Sequence, residues 1–204
     1  MTYQVLSVVP QDKKKVMISL DNGESFVLYK GEAAKLSLFE KEIIDEMKYQ
    51  QIMKEVLGKR ATKRAMHLLE RQERTEKQLR DKLAQNDYPQ ACIEQAISYV
   101  KSYHYVDDYR YATVYVRYHQ EKESRQKLTQ KLMMRGISRE IIQQALEEEF
   151  VADECAQIKE LLRKRRFDSE SADETTRRKT AQFLMRKGFK SRDVFRVMRM
   201  EEEF

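Results

Sequence analysis

Three stretches of this sequence can be laid over one another without a gap, and that repeat limits the fold more than any other feature. TEKQLRDKLAQNDYPQACIEQAISY from Thr75 lies over SRQKLTQKLMMRGISREIIQQALEE from Ser124, an offset of 49. TRRKTAQFLMRKGFKSRDVFRVMRM from Thr176 lies beneath both, a further 52 residues along. Self-similarity at a fixed period is the signature of repeat architectures, in which a unit too small to bury its own apolar face stacks on its neighbours.

Each aligned column has a physical reading. Thr75, Ser124 and Thr176 are N-cap types, whose hydroxyl accepts a bond from a free backbone N–H; Thr75 with Gln78 also matches a capping box. Leu83, Leu132 and Leu184 are followed four residues later by Asp87, Gly136 and Gly188, and then by Tyr88, Ile137 and Phe189. That order predicts a Schellman stop, with a left-handed residue at C′ and an apolar residue folding back on the Leu. A second helix follows each stop, with core columns Ile93/Ile142/Val194, Ala96/Ala145/Val197 and Ile97/Leu146/Met198 at i, i+3, i+4. One column breaks: Leu79 and Leu128 align with Thr180, and Phe183 is placed to fill the space. Another helix precedes each segment, at Lys63–Arg71, Asp108–His119 and Glu154–Arg166.

The fold expected is all-α, with three tandem three-helix repeats in an elongated curved array behind a small N-terminal β-meander. Expected boundaries are 1–58 for the meander and its helices, then 59–106, 107–152 and 153–204 for the repeats. The meander is read from Tyr3–Val9, Val16–Leu20 and Ser25–Leu28, all rich in β-branched and aromatic residues; Asn22-Gly23 predicts a type I′ hairpin. From about Gly31 the pattern reads as helix throughout. Ser37 is placed to cap a helix through Ile43, Ile44 and Met47, and a further helix runs from Ile52 to about Glu70. With only 5 Gly and 2 Pro in 204 residues, short helix connections fit better than a sandwich or barrel.

Charge and chemistry narrow the function. The net charge is +6. It is balanced over residues 1–59, while residues 153–204 carry fourteen Lys and Arg against eleven Asp and Glu. Such a local excess suggests an acidic partner or nucleic acid. No apolar run approaches the ~20 residues of a membrane span, and nothing resembles a signal peptide, so a cytoplasmic location is expected. Cys92 and Cys155 have no metal spacing; Cys92 aligns with Ile141 and reads as a small core residue, and Cys155 as half-buried. Asp107-Asp108 reads as a helix start rather than a catalytic pair. His67, His104 and His119 are scattered, and there is no phosphate-cradling Gly-rich loop. No catalytic group, metal site or cofactor is expected.

The candidate binding residues are basic: Arg163, Lys164, Arg165, Arg166, Arg177, Arg178, Lys179, Arg186, Lys187, Arg125 and Lys127, with Lys190, Arg192, Arg196 and Arg199 adding charge. Arg177–Lys179 are read as occupying a helix's first turn, as Arg125 and Lys127 do in the middle unit. Cations there oppose the macrodipole, so helix stability does not explain them, whereas an anion site does. The tyrosines at 99, 103, 105, 109, 111, 115 and 118 gather around the Asp pair, part core and part candidate stacking platform.

These residues also resemble a known family. Arg71-Gln72-Glu73-Arg74-Thr75-Glu76-Lys77-Gln78-Leu79 resembles the R-x-R-S-E-x-E-L element of RecX proteins, and Tyr105-Val106-Asp107-Asp108-Tyr109-Arg110-Tyr111-Ala112 their G-Y-L-D-D-x-x-F-A element, with His104 where a Gly is usual. Leu132 to Ile137 is similar to their L-x-x-K-G-I, and Phe183 to Phe189 to their F-L-x-R-R-G-F. The resemblance covers roughly residues 60–200. It implies a non-catalytic monomer whose partner is the RecA–single-stranded DNA filament, with direct DNA contact secondary. It also implies limits on recombinase, ATPase and coprotease activity, and so a role in DNA repair and the SOS response. From the basic clusters alone, the alternative is a stand-alone nucleic-acid-binding helical module.

Overall fold

The computed structural model describes residues 1–198; Arg199 and the residues after it lie outside. The chain forms two compact units, residues 1–107 and 108–204.

The first unit begins with a four-stranded sheet in the order β3-β2-β1-β4. β1 (Thr2–Pro10), β2 (Lys15–Leu20) and β3 (Ser25–Tyr29) form the expected antiparallel meander. Alternation along β2 sends Val16, Ile18 and Leu20 into the core. The β2–β3 hairpin differs from the type I′ turn. Gly23 alone has positive φ (+85°), and its N–H bonds the Leu20 carbonyl while the Leu20 N–H bonds that of Glu24. This is a three-residue loop, a tight turn closed by a left-handed Gly, and the Asn22 side chain accepts from the Glu24 N–H instead of marking a second positive φ.

After α1 (Lys30–Lys35) the chain departs from the all-helical expectation. Ser37 does not start a helix; it ends one. Its φ is +48°, and Leu38 N–H reaches back to the Ala33 carbonyl, so Ser37 holds the C′ position of a Schellman stop. Ile43 and Ile44 lie in a short strand, β4 (Ile43–Asp45), that pairs with β1. The helix begins only at α2 (Glu46–Gln50), capped by the Asp45 carboxylate, which accepts from Lys48 N–H. It runs on through a π-helical segment (Gln51–Gly58) into α3 (Lys59–Arg71). In the π segment the Cys92 thiol donates to the Met53 carbonyl at 3.3 Å and the Gln95 amide to Lys54 at 3.4 Å. Donors entering a helix ladder from a neighbour are a known cause of such widening. A Cβ on Gly58 would lie 2.1 Å from Gln95 Oε1, so the Gln95 side chain packs onto the space that this Gly leaves. With α4 (Glu76–Ala84) and α5 (Gln90–Ser102), α3 completes the first repeat, and its apolar face joins the sheet in one core.

The second unit holds two more three-helix repeats: α6 (Asp108–His119), α7 (Arg125–Met134) and α8 (Arg139–Glu149), then α9 (Glu154–Lys164), α10 (Glu174–Arg186) and α11 (Ser191–Met198). Each repeat has its own cluster of buried residues. The predicted stops form as read. Asp87, Gly136 and Gly188 have φ of +60°, +85° and +89°. Tyr88, Ile137 and Phe189 donate to the carbonyls of Leu83, Leu132 and Leu184. Thr75, with Gln78 in a capping box, and Ser124 cap α4 and α7. Thr180 is buried, and Phe183 packs on its repeat's cluster.

The third cap is corrected. α10 starts three residues earlier than expected, capped by Asp173, whose carboxylate accepts from the N–H of Thr176 at 2.8 Å. Thr176 therefore sits in the first turn.

Candidate partner-binding surface

The second unit carries all the predicted binding residues, and their local bonds sort them into three groups. The first group is tied to the fold. Arg177 turns its Nη2 to the Ser169 carbonyl at 2.6 Å, so it fastens the α9–α10 connection, and its Nε is buried without a partner. Because α10 begins at Glu174, Arg177, Arg178 and Lys179 lie beyond the first turn, which carries the acidic Glu174. The premise that they oppose the macrodipole falls away. The start of α10 already has its anion, the Asp173 carboxylate. Hydrogen bonds from Thr176, side chain then backbone, hold that carboxyl below its ordinary range.

At α7, Arg125 and Lys127 do occupy the first turn, but an internal anion meets it. The Glu154 carboxylate accepts from Arg125 N–H at 2.9 Å, and Ser124 Oγ accepts from Lys127 N–H at 3.2 Å. The backbone N–H of Arg125 thus belongs to a joint between the repeats, and that of Lys127 to the helix cap. Ser124 Oγ also donates to the Lys187 carbonyl at 2.8 Å, and a Cβ on Gly188 would lie 2.6 Å from that oxygen. The carbonyl end of α10 therefore meets the N–H end of α7, a favourable pairing of helix dipoles. Buried Gln120 completes the joint. Its side-chain oxygen accepts from Val151 and Ala152 N–H at 2.8 and 3.2 Å, and its carbonyl accepts from the Gln157 side chain. No sequence pattern singled out Gln120 or Glu154; Asp173 had the right residue type three positions before the assumed cap.

The second group is paired but exposed. Arg163 donates to both oxygens of Glu160, each at 2.8 Å, and Lys164 lies 3.5 Å from the same carboxylate. Bonding to Arg163 outweighs desolvation there and holds the Glu160 carboxyl at about 2. Arg165 and Lys187 share one ring: their charged groups lie 4.3 and 5.7 Å from the Phe183 centroid. Arg125 stands 5.8 Å from the Phe150 ring.

The third group is exposed and not tied into the fold. Arg178, Lys179 and Arg186 project from α10, and Lys179 and Arg186, seven residues apart, share a face. Arg166 is exposed at φ +53°, the C′ position of α9's stop.

The tyrosines divide as well. In the first unit Tyr99, Tyr103 and Tyr105 are exposed, with successive centroids 4.8 and 5.8 Å apart. In the second, Tyr111, Tyr115 and His119 stack along α6, and Arg135 lies 4.6 Å over Tyr115. Cys92 is buried, and burial raises its thiol to about 11. Among the described residues no group of three or more His, Cys, Asp or Glu is arranged to hold a metal ion, and no helix is long and apolar enough to cross a membrane.

Comparison with known proteins matches three family descriptions in order: RecX first three-helix domain over residues 61–99, second over 107–146 and third over 152–198. The chain belongs to the RecX family. A regulatory protein RecX from Clostridium tetani is 31% identical over 137 residues, 66% of this chain and 63% of that protein. One from Clostridium acetobutylicum is 27% identical over 203 residues, 96% of this chain and 94% of its own length. A crystal structure of a regulatory protein RecX shares the fold at a TM-score of 0.64 and 24% identity, covering 97% of this chain and 98% of its own. RecX from Lactobacillus salivarius aligns at 0.57 and 22% identity over 70% of this chain and 95% of its own.

Membership in RecX explains the repeat, and the geometry explains one departure from its motifs. His104, where RecX proteins usually place Gly, has φ +55°, and Tyr105 N–H closes the stop on the Val100 carbonyl. The position calls for a left-handed residue, which Gly adopts freely and His at some cost.

Proposed function

We propose that this chain regulates the RecA recombinase by binding the RecA–single-stranded DNA filament, acting in the cytoplasm as a monomer and without chemistry of its own. The observation that carries this reading is the ordered set of three RecX three-helix domains. Relatives similar to the chain are named regulatory protein RecX. The bounds proposed for the three repeats are 59–106, 107–152 and 153–204. Filament contact falls to Arg178, Lys179, Arg186 and Arg166, with Arg163, Lys164, Arg165 and Lys187 beside them, while Arg177 fastens the α9–α10 connection and Arg125 and Lys127 stand at the start of α7.

In the test, the purified chain is added to cognate RecA on single-stranded DNA. Inhibited ATPase and strand exchange support the proposal, and no effect on either rejects it. The triple variant Arg178→Glu, Lys179→Glu, Arg186→Glu should weaken filament binding with helical content intact, whereas unchanged binding moves the contact elsewhere.

The second reading is a stand-alone nucleic-acid-binding module, favoured by the exposed Tyr99, Tyr103 and Tyr105, of which Tyr103 and Tyr105 stack and Tyr99 is tilted against Tyr103. It predicts tight binding of single strands without RecA, falling steeply with salt.

A further inference from the structure

The first unit contains a cleft that the filament reading does not use. It lies between the end of β3, the face of α3 and the turn after α4, and encloses about 220 Å³. Three cations line it: Lys15, Arg60 and Arg64.

Their states differ. Arg60 belongs to the wall. Its Nη1 bonds Glu32 at 2.7 Å, its Nη2 bonds the Val27 carbonyl at 2.5 Å, and its guanidinium lies 5.0 Å from the Tyr29 centroid and 5.9 Å from that of Tyr88. Arg64, one helical turn further, has a buried Nε without a hydrogen-bond partner. Neither Arg64 nor Lys15 takes part in an ion pair among the described residues, and both are half-buried. One carboxylate, Asp87, lines the cleft against the three cations.

A buried donor without an acceptor is costly, and such groups are few in native proteins. Two half-buried cations without an ion pair, Arg64 and Lys15, share this recess with Arg60 and a single carboxylate, and that excess of positive charge calls for several acceptor oxygens at once. A carboxylate brings two oxygens and one charge. A phosphate brings more of both, and arginine forks match it well. We propose that this cleft binds a phosphate group, supplied either by a free phosphate or nucleotide or by a nucleic-acid strand, with Arg64 and Lys15 as its ligands and Arg60 as a fixed wall. The sheet then has a role beyond packing, since Lys15 opens β2 and Tyr29 closes β3.

The experiment is calorimetric titration of the full chain, without RecA, with inorganic phosphate, thymidine monophosphate, a thymidine oligonucleotide and a glutamate-rich peptide. The expected result is saturable binding of at least one phosphate compound. Affinity falls at least tenfold in the Arg64→Gln, Lys15→Gln double variant and less in Arg64→Lys, while Lys13→Gln, an exposed lysine outside the cleft, leaves it unchanged. Thermal unfolding verifies that each variant is folded. Binding of phosphate and mononucleotide assigns a small-molecule source, and binding of the oligonucleotide alone assigns a strand. Three results overturn the proposal: no binding of any phosphate compound at millimolar concentration, equal affinity in the double variant, or saturation by the peptide alone. None of them bears on filament regulation, because RecA is absent.

Discussion

The two units are built from the same repeat but are held together differently. In the first, the sheet and the repeat share one apolar cluster that runs from Val5 through Leu57 and Leu83 to Val106. In the second, the middle and last repeats keep separate clusters, around Leu132 and Leu184, and meet through polar groups: Ser124 on the Lys187 carbonyl, Glu154 on Arg125 N–H and the Gln157 side chain on the Gln120 carbonyl. Apolar burial tolerates substitution that conserves volume, whereas a hydrogen-bonded joint needs particular atoms at particular positions. The same repeat can therefore join a partner element by either means, and each means fails in its own way.

The largest expected effect tests the shared core. Leu57 is fully buried in the π segment, within the cluster common to sheet and helices. Leu57→Ala should cost roughly 2–5 kcal/mol. In hydrogen exchange, β1–β3 and α3–α5 should lose protection together. Separate loss of sheet and helices would break the contrast between the units.

The next effect falls on the joint. Gly188→Ala meets two penalties, the left-handed φ of +89° and a Cβ 2.6 Å from Ser124 Oγ, whereas Gly23→Ala, at φ +85° with nothing within 4 Å, meets only the first. The expected costs are roughly 2–4 kcal/mol and about 1–2 kcal/mol. Ser124→Gly removes the oxygen and should recover about 1 kcal/mol of the Gly188→Ala cost, read by denaturation as a non-additive cycle. Additive costs would mean that the two repeats do not press on each other there.

Smaller still is Ser124→Ala, expected at about 1 kcal/mol, against a lesser cost for Ser138→Ala. Both serines are N-caps, but Ser124 is buried and bonds a second repeat, while Ser138 is exposed and water can replace it. Equal costs would reduce the joint to an ordinary cap.

These residues also show how far the sequence could be read. The stops at Asp87, Gly136 and Gly188 were legible because a left-handed residue followed by an apolar one encodes a local structure. β4 was not, because Ile43, Ile44 and Met47 have helical spacing and only distant β1 makes two of them a strand. The π segment escaped because helical periodicity barely registers a widened turn. Ser37 and Thr176 are cap types, yet neither is the cap: Ser37 ends α1, and Asp173 starts α10. For the candidate surface, charge was legible but commitment was not. Arg177 and Arg178 are adjacent and alike in sequence, yet the first is bonded to Ser169 and the second is exposed.

The smallest expected effect separates joint charges from rim charges. Glu160 holds Arg163 and Lys164 on one surface, and bonding to Arg163 lowers its carboxyl from an ordinary 4.5 to about 2. A depressed carboxyl contributes stability above its unfolded value and loses it as the pH falls through the folded one, so any contribution fades between pH 4.5 and about 2. The group is open to solvent, where salt screens such pairs and most contribute little. Glu160→Gln should therefore shift the urea midpoint barely at low salt and not at all at high salt, in contrast to Gly188→Ala, whose steric cost salt does not screen. If the proposed filament contact holds, it should at the same time strengthen that binding, because Arg163 and Lys164 lose their internal competitor. A large, salt-independent loss of stability would make Glu160 part of the polar framework, while unchanged binding with unchanged stability would remove Arg163 and Lys164 from the contact surface.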